Sequence, residues 1–144
     1  MAELMLICVI ADRPVALPTA RVKSVIDMGA ITPVPGAKPH VLGLSALRSQ
    51  ALTVIDCRLA LGFPPHKDPA NARAVVTVMD DHAYALLVDE ASVVSMPTVE
   101  PTGLTGGFGD EWRDVAQGMI ETEQGPSLLI DLEKMIEGPL EATA

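Results

Sequence analysis

The pattern of the stretch Gly43–Gly62, GLSALRSQALTVIDCRLALG, returns 75 residues downstream, and this echo constrains the fold more than any other feature of the chain. Gly43, Ile55 and Asp56 meet Gly118, Ile130 and Asp131 at that single offset. Apolar pairs fill in around them: Leu44 with Met119, Val54 with Leu129, Cys57 with Leu132, Ala60 with Met135 and Leu61 with Ile136. In both copies a glycine opens a strand, polar residues turn it, and a second apolar strand ends at an aspartate heading a short helix. A repeated supersecondary unit implies two similar modules packed together rather than one irregular domain. Ala16-Leu17 with Ala85-Leu86, and Val25 with Val94, extend the likeness at an offset of 69. The change of offset requires an insertion in the second copy, which the Gly/Pro/Thr-rich loop at 97–110 supplies.

Around this repeat the chain reads as many short strands, apolar runs bounded by Pro, Gly, Asp or Asn. The runs are Leu4–Ile10, Val15–Leu17, Val22–Ile26, Val41–Leu47, Ala51–Ile55, Ala74–Met79, Tyr84–Val88, Ser92–Val94, Val115–Ile120 and Ser127–Ile130. Asp12-Arg13-Pro14 and Asp80-Asp81-His82 read as hairpin turns. Cys57–Leu61 and Leu132–Ile136 read as helices of one or two turns, with Asp56 and Asp131 as their N-caps. The chain is expected to be a single domain over 1–144. Its submodules are placed at 12–62, the first barrel, and 73–136, the second, joined by the linker 63–72, FPPHKDPANA. The strand at 4–10 can pair with either.

Composition narrows the function classes. A chain of 144 residues suits one domain or two modules sharing a core, because a module of about 60 residues is marginal alone. Aromatics make up only 3%, which argues against stacking platforms for bases or sugars. A net charge of −9 argues against nucleic acid and against anionic membrane surfaces, both of which need cationic footprints. The charge is uneven: residues 1–72 hold seven Lys/Arg against five Asp/Glu, and residues 73–144 three against fourteen, so the halves present different surfaces. Cys8 and Cys57 lie in apolar runs and read as buried reduced thiols of a cytoplasmic protein. The run Leu4–Ala11 is too short to span a bilayer and is not a good signal peptide, so no membrane insertion is expected.

No catalytic constellation stands out, and no enzyme, metal or cofactor is expected. His40, His66 and His82 lie at separate loops without ligand spacing and read as solvated loop histidines. Ser, His and Asp occur without a nucleophile elbow, and the glycines at 105–109 lack a feeding strand and a P-loop lysine. Asp56 and Asp131 read as structural caps rather than as an acid–base pair. Arg48 is the residue that does stand out, at the turn between two apolar strands. It reads either as a local ion pair clipping the turn or as a partner contact, since a guanidinium fork suits carboxylates and interfaces.

Pro35-Gly36-Ala37-Lys38-Pro39-His40-Val41-Leu42-Gly43, then Leu47-Arg48 and Val54-Ile55-Asp56, resembles the signature of CheW-like domains. Leu17-Pro18 with Val22 and Val25-Ile26 resembles that family's opening segment, and Leu87-Val88-Asp89-Glu90 with Val93-Val94 its second half. The resemblance covers nearly the whole chain. It implies an all-β fold of two small five-stranded SH3-like barrels packed on a shared hydrophobic core, with short helices. It also implies a non-catalytic cytoplasmic adaptor, recruited to membrane receptor arrays, that couples chemoreceptor cytoplasmic tips to the regulatory domain of a CheA-like histidine kinase. Carried over by position, Val22, Ser24, Gly43 and Arg48 match places that contact receptors or support that contact. Ala46, Ser49 and Thr53 depart from asparagine, glycine and proline, and His40 replaces an aromatic. If the turn needs positive φ, Ser49 costs energy there. Two alternatives stand beside the adaptor: a module that binds the kinase without receptors, and a small-ligand or metal sensor built on the loop at 97–110.

Overall fold

Among the described residues ten strands form where the apolar runs place them. They are β1 Met5–Ile10, β2 Arg13–Pro18, β3 Ser24–Asp27, β4 Val41–Leu47, β5 Gln50–Asp56, β6 Arg73–Met79, β7 His82–Val88, β8 Glu90–Ser95, β9 Ala116–Thr122 and β10 Gly125–Ile130. The same residues include the helices α1 Cys57–Ala60 and α2 Leu132–Glu137 and 3-10 turns at Thr19–Arg21 and Pro69–Asn71. This computed structural model describes residues 4–95, 112, 115–123 and 125–138, of which 91–95 by their backbone alone. The loop expected at 97–110 lies outside the described residues.

β1 and β7 are apolar on both faces because each face meets a different core. On β1, Leu6, Cys8 and Ile10 enter one cluster while Met5 and Ile7 enter another. On β7, Leu86 and Val88 join the first cluster while Ala83, Ala85 and Leu87 join a third. This is the period of two expected of a strand, with both sides buried. The first cluster is shared: it draws Val15 and Leu128 from one sheet, Ile55 and Val75 from the other, and Leu61, Met135 and Trp112 from between them. Each fully buried Leu or Ile of this kind contributes about 1.5–3 kcal/mol of transfer free energy. The cysteines lie in it as free thiols. Burial pushes the Cys8 thiol up to about 12, and burial followed by the charge of Asp56 raises Cys57 well above its ordinary value.

The all-β expectation of two small five-stranded SH3-like barrels on a shared core, with short helices, is met. The assignment of strands to sheets differs from the expected division at 63–72. One sheet runs β8-β1-β2-β10-β9 and the other β3-β6-β7-β5-β4. Each sheet therefore takes the opening hairpin of one repeat and the last three strands of the other. β2, placed by sequence in the first barrel, pairs with β1 and β10; β6 and β7, placed in the second, pair with β3 and β5. The strand at 4–10 joins β2 and β8. The repeat is real in register: Leu47 faces Gln50 in one hairpin and Thr122 faces Gly125 in the other, 75 residues on. Chain order follows the repeat, while hydrogen bonding exchanges hairpins across it.

Among the described residues three hairpin tips are two residues long with both residues at positive φ: Ala11 50° and Asp12 66°, Arg48 51° and Ser49 70°, Asp80 52° and Asp81 63°. Such type I′ tips match the twist of their strands, which repays the left-handed strain of non-glycine residues. The expected turns at Asp12-Arg13-Pro14 and Asp80-Asp81-His82 are thus shifted, since Arg13, Pro14 and His82 already belong to strands.

Candidate partner-binding site

The tip Arg48–Ser49 does not stand alone. β5 runs parallel to β7 with Thr53 opposite Tyr84, and extending that register by three residues sets Gln50 level with Asp81. The β4–β5 and β6–β7 tips are therefore neighbours at one end of their sheet. The segment leading into β3 is tied to the same end: Thr77 Oγ1 donates to Arg21 O at 2.6 Å, and Lys23 N donates to Val76 O at 2.7 Å. Beside this end opens a groove of about 380 Å³. One wall is Arg21, Met79, Asp80 and Tyr84, and the other is Glu133, Ile136 and Glu137 of α2.

The four residues expected at the site take different places. Arg48 is exposed at its tip, and among the described residues it has no ion pair, so the clipped-turn reading finds no partner. Ser49 holds the positive φ that the turn needs, so the tip keeps its shape without glycine. Val22 is half-buried against the shared core, and Ser24 is half-buried opposite Val76. Gly43 is buried at φ 149°, and a Cβ there would run into the backbone carbonyl of Thr32. Thr32 and Leu44 exchange two 2.8 Å backbone hydrogen bonds at this point. Gly43 can therefore shape the surface but cannot touch a partner with a side chain.

Sequence reasoning missed a second cluster, at the far end of β5. Asp56 caps α1 as expected, accepting from Arg58 N at 2.9 Å and, at 3.4 Å, from Leu59 N. It is also fully buried and receives His66, whose backbone N lies 3.0 Å from Oδ2 and whose Nδ1 lies 2.9 Å from Oδ1. Asp89 completes the cluster. Arg58 grips it with Nε at 3.0 Å and an Nη at 2.9 Å, a two-pronged pair of the strong, oriented kind. His66 Nε2 lies 3.0 Å from Asp89 Oδ1, too oblique for an aligned hydrogen bond. Burial works to raise the Asp56 carboxyl, but the His66 hydrogen bonds and charge outweigh it and hold it below 3.8. Asp89 is likewise held below 3.8, burial being outweighed by Arg58 and then His66. The only sequence signal was Asp56 itself, since His66 sits in a Pro-rich linker that shows no pattern.

The expectation of solvated loop histidines is corrected for two of the three. His66 bridges two carboxylates, and His40 is 1% exposed with Nε2 2.7 Å from Ile136 O. The missing Cβ of Gly138 leaves room for the His40 ring, so this histidine docks the end of α2 onto the start of β4. Only His82 is exposed. Asp131 caps α2 through Glu133 N and Lys134 N at 3.0 and 3.3 Å. Among the described residues no three His, Cys, Asp or Glu side chains are placed to hold a metal ion, and no helix is long and apolar enough to cross a membrane.

The CheW-like domain model matches residues 4–139. The chemotaxis protein CheW of Bacillus subtilis is 29% identical over 92 residues, covering 64% of this chain and 59% of that protein. CheW of Thermotoga maritima is 25% identical over 128 residues, covering 89% of this chain and 83% of its own. CheW of Rhizobium meliloti is 25% identical over 129 residues, with 88% and 82% covered. The crystal structure of the scaffolding protein TtCheW from Thermoanaerobacter tengcongensis superposes with a TM-score of 0.77 at 18% identity, covering 99% of this chain and 98% of that one.

Proposed function

The chain belongs to the CheW-like domain family, and on that premise we propose that it couples chemoreceptor cytoplasmic tips to the regulatory domain of a CheA-like histidine kinase. The family is one of non-catalytic scaffolds, and the chain is a CheW-like adaptor of chemotaxis. In this reading it works in the cytoplasm, at receptor arrays. The observation that carries the reading is the Arg48 tip beside the groove between Met79–Asp80 and α2. That groove is lined by apolar Val78, Met79, Tyr84 and Ile136, by acidic Asp80, Glu133 and Glu137, and by the cation Arg21. It suits an amphipathic helical segment whose apolar stripe meets Met79, Tyr84 and Ile136, with basic residues for the three carboxylates and a carboxylate for Arg48. Arg48 is the direct contact; Val22, Ser24 and Gly43 support it by shaping the sheet end.

Calorimetry of the protein with its cognate kinase regulatory domain and with a receptor-tip fragment tests this. Saturable binding to both is expected. Binding to the kinase alone would give the receptor-independent module instead, and binding to neither would end the adaptor reading. Ser49 holds the turn geometry despite the missing glycine, which favours the receptor-binding form.

A further inference from the structure

Both ring nitrogens of His66 face carboxylate oxygens, Nδ1 at 2.9 Å from Asp56 Oδ1 and Nε2 at 3.0 Å from Asp89 Oδ1. A neutral imidazole carries one N–H and one lone pair. A neutral ring would keep its one N–H on Nδ1 for Asp56 and leave Nε2, a buried atom with no hydrogen-bond partner, 3.0 Å from Asp89 Oδ1 with no positive charge to set against that carboxylate. The imidazolium donates to Asp56 through Nδ1 and sets its positive charge against Asp89 at Nε2. Charge balance agrees: Asp56, Asp89, Arg58 and a protonated His66 sum to zero, whereas a neutral His66 leaves one net negative charge. An uncompensated charge of that kind is costly beside an Asp56 side chain with no exposure.

The two carboxylates belong to segments that the exchange of hairpins brings together. Asp56 ends β5. Asp89 joins β7 to β8, where the chain passes from one sheet to the other. Its Oδ2 accepts from Ala11 N in the β1–β2 tip at 2.9 Å, and its own N donates to Val9 O at 2.8 Å. His66 lies on 63–72, the segment linking the two repeats. The charged groups acting on the ring are Asp56 at the end of β5, Asp89 between β7 and β8, and Arg58 of α1. Asp12 of the β1–β2 tip acts on Arg58, and Lys67 and Asp68 beside His66 are exposed.

We propose that His66 is a proton-operated clasp: as imidazolium it fastens the linker 63–72 across the junction of the two sheets, and loss of its proton releases the linker. The clasp is independent of the adaptor reading. Burial works to lower the ring's pKa, but the hydrogen bond and charge of Asp56, followed by Asp89, outweigh it and hold His66 above 6.5. With the folded value above the unfolded one, the stabilisation is complete below about 6.5 and is lost as pH rises through the folded value.

The test uses the full chain. The 15N shifts of the His66 ring are followed from pH 5 to 9, together with exchange of its backbone amide, which donates to Asp56 Oδ2. At pH 6 both ring nitrogens should be protonated. Amide protection, corrected for the intrinsic exchange rate, should fall at least tenfold as the ring titrates. His66→Gln should exchange at the fast rate throughout, and His82→Gln should leave the transition in place. A neutral ring at pH 6, or corrected protection that stays level across the His66 titration, overturns the proposal. The wild-type titration decides even if His66→Gln does not fold.

Discussion

Asp56 and Asp131 cap their helices from nearly the same backbone, φ −88° and ψ 107° against φ −84° and ψ 105°, and each accepts from the amides two and three residues ahead. The first is wholly buried and also holds His66; the second is partly exposed and, among the described residues, serves the cap alone. A second pair diverges in the same way. The tips at Arg48 and Glu123 hold matching places in the two repeats with opposite charge. Repetition fixed the frame of each hairpin, cap and helix. What differs between the copies is which side chains the other parts of the chain bring to that frame.

Cutting the chain is the most severe way to test this picture. Because each sheet draws on both repeats, fragments divided after Lys67 should each lack cooperative unfolding, and mixing them should restore it. An N-terminal fragment that folds alone would dissolve the exchange. Next in size, Asp56→Ala should cost about 3–5 kcal/mol, because it strands His66 and removes a cap at once. Asp131→Ala should cost about 1 kcal/mol, the ordinary value of a cap. Denaturant titration of both variants measures the gap, and equal losses would make the two aspartates equivalent after all. Smallest in stability is the exchange of tip charges. Arg48→Glu should weaken receptor-tip binding at least about tenfold, on the order of 1.4 kcal/mol, with the melting temperature unchanged. Glu123→Arg should leave that binding near the wild-type value. Matching effects from the two tips would remove Arg48 from the interface, and a collapsed fold in Arg48→Glu would show a structural role.

Acid should also weaken the cluster around Asp56. The folded carboxyls of Asp56 and Asp89 lie below 3.8, so their stabilisation is present above that value and is lost as pH falls through the folded values. Together with the His66 limb, this sets the plateau of stability between about pH 4 and 6.5.

The strands were legible as apolar runs between turn residues, and in β1 and β7 alternate residues feed two different cores. The caps were legible because an aspartate before a short apolar helix has one common use. Gly43 was marked by its echo at Gly118, but its reason, the carbonyl of Thr32 lying where a Cβ would be, belongs to a segment eleven residues earlier. Pairing partners were not legible. An apolar strand buried on both faces fits either sheet equally well, so nothing in β2 or β6 announces which one it joins.

By itself, then, the sequence determined the local elements: strand period, turn positions, helix caps and the repeat that orders them, all of which depend on neighbours within a few residues. Only the tertiary structure decided which hairpins trade places, why His40 is buried, and that His66, Arg58 and Asp89 converge on Asp56. Those outcomes depend on contacts between residues 10 to 96 positions apart, such as His66 with Asp56 and His40 with Ile136, where long-range packing rather than local pattern sets the free energy.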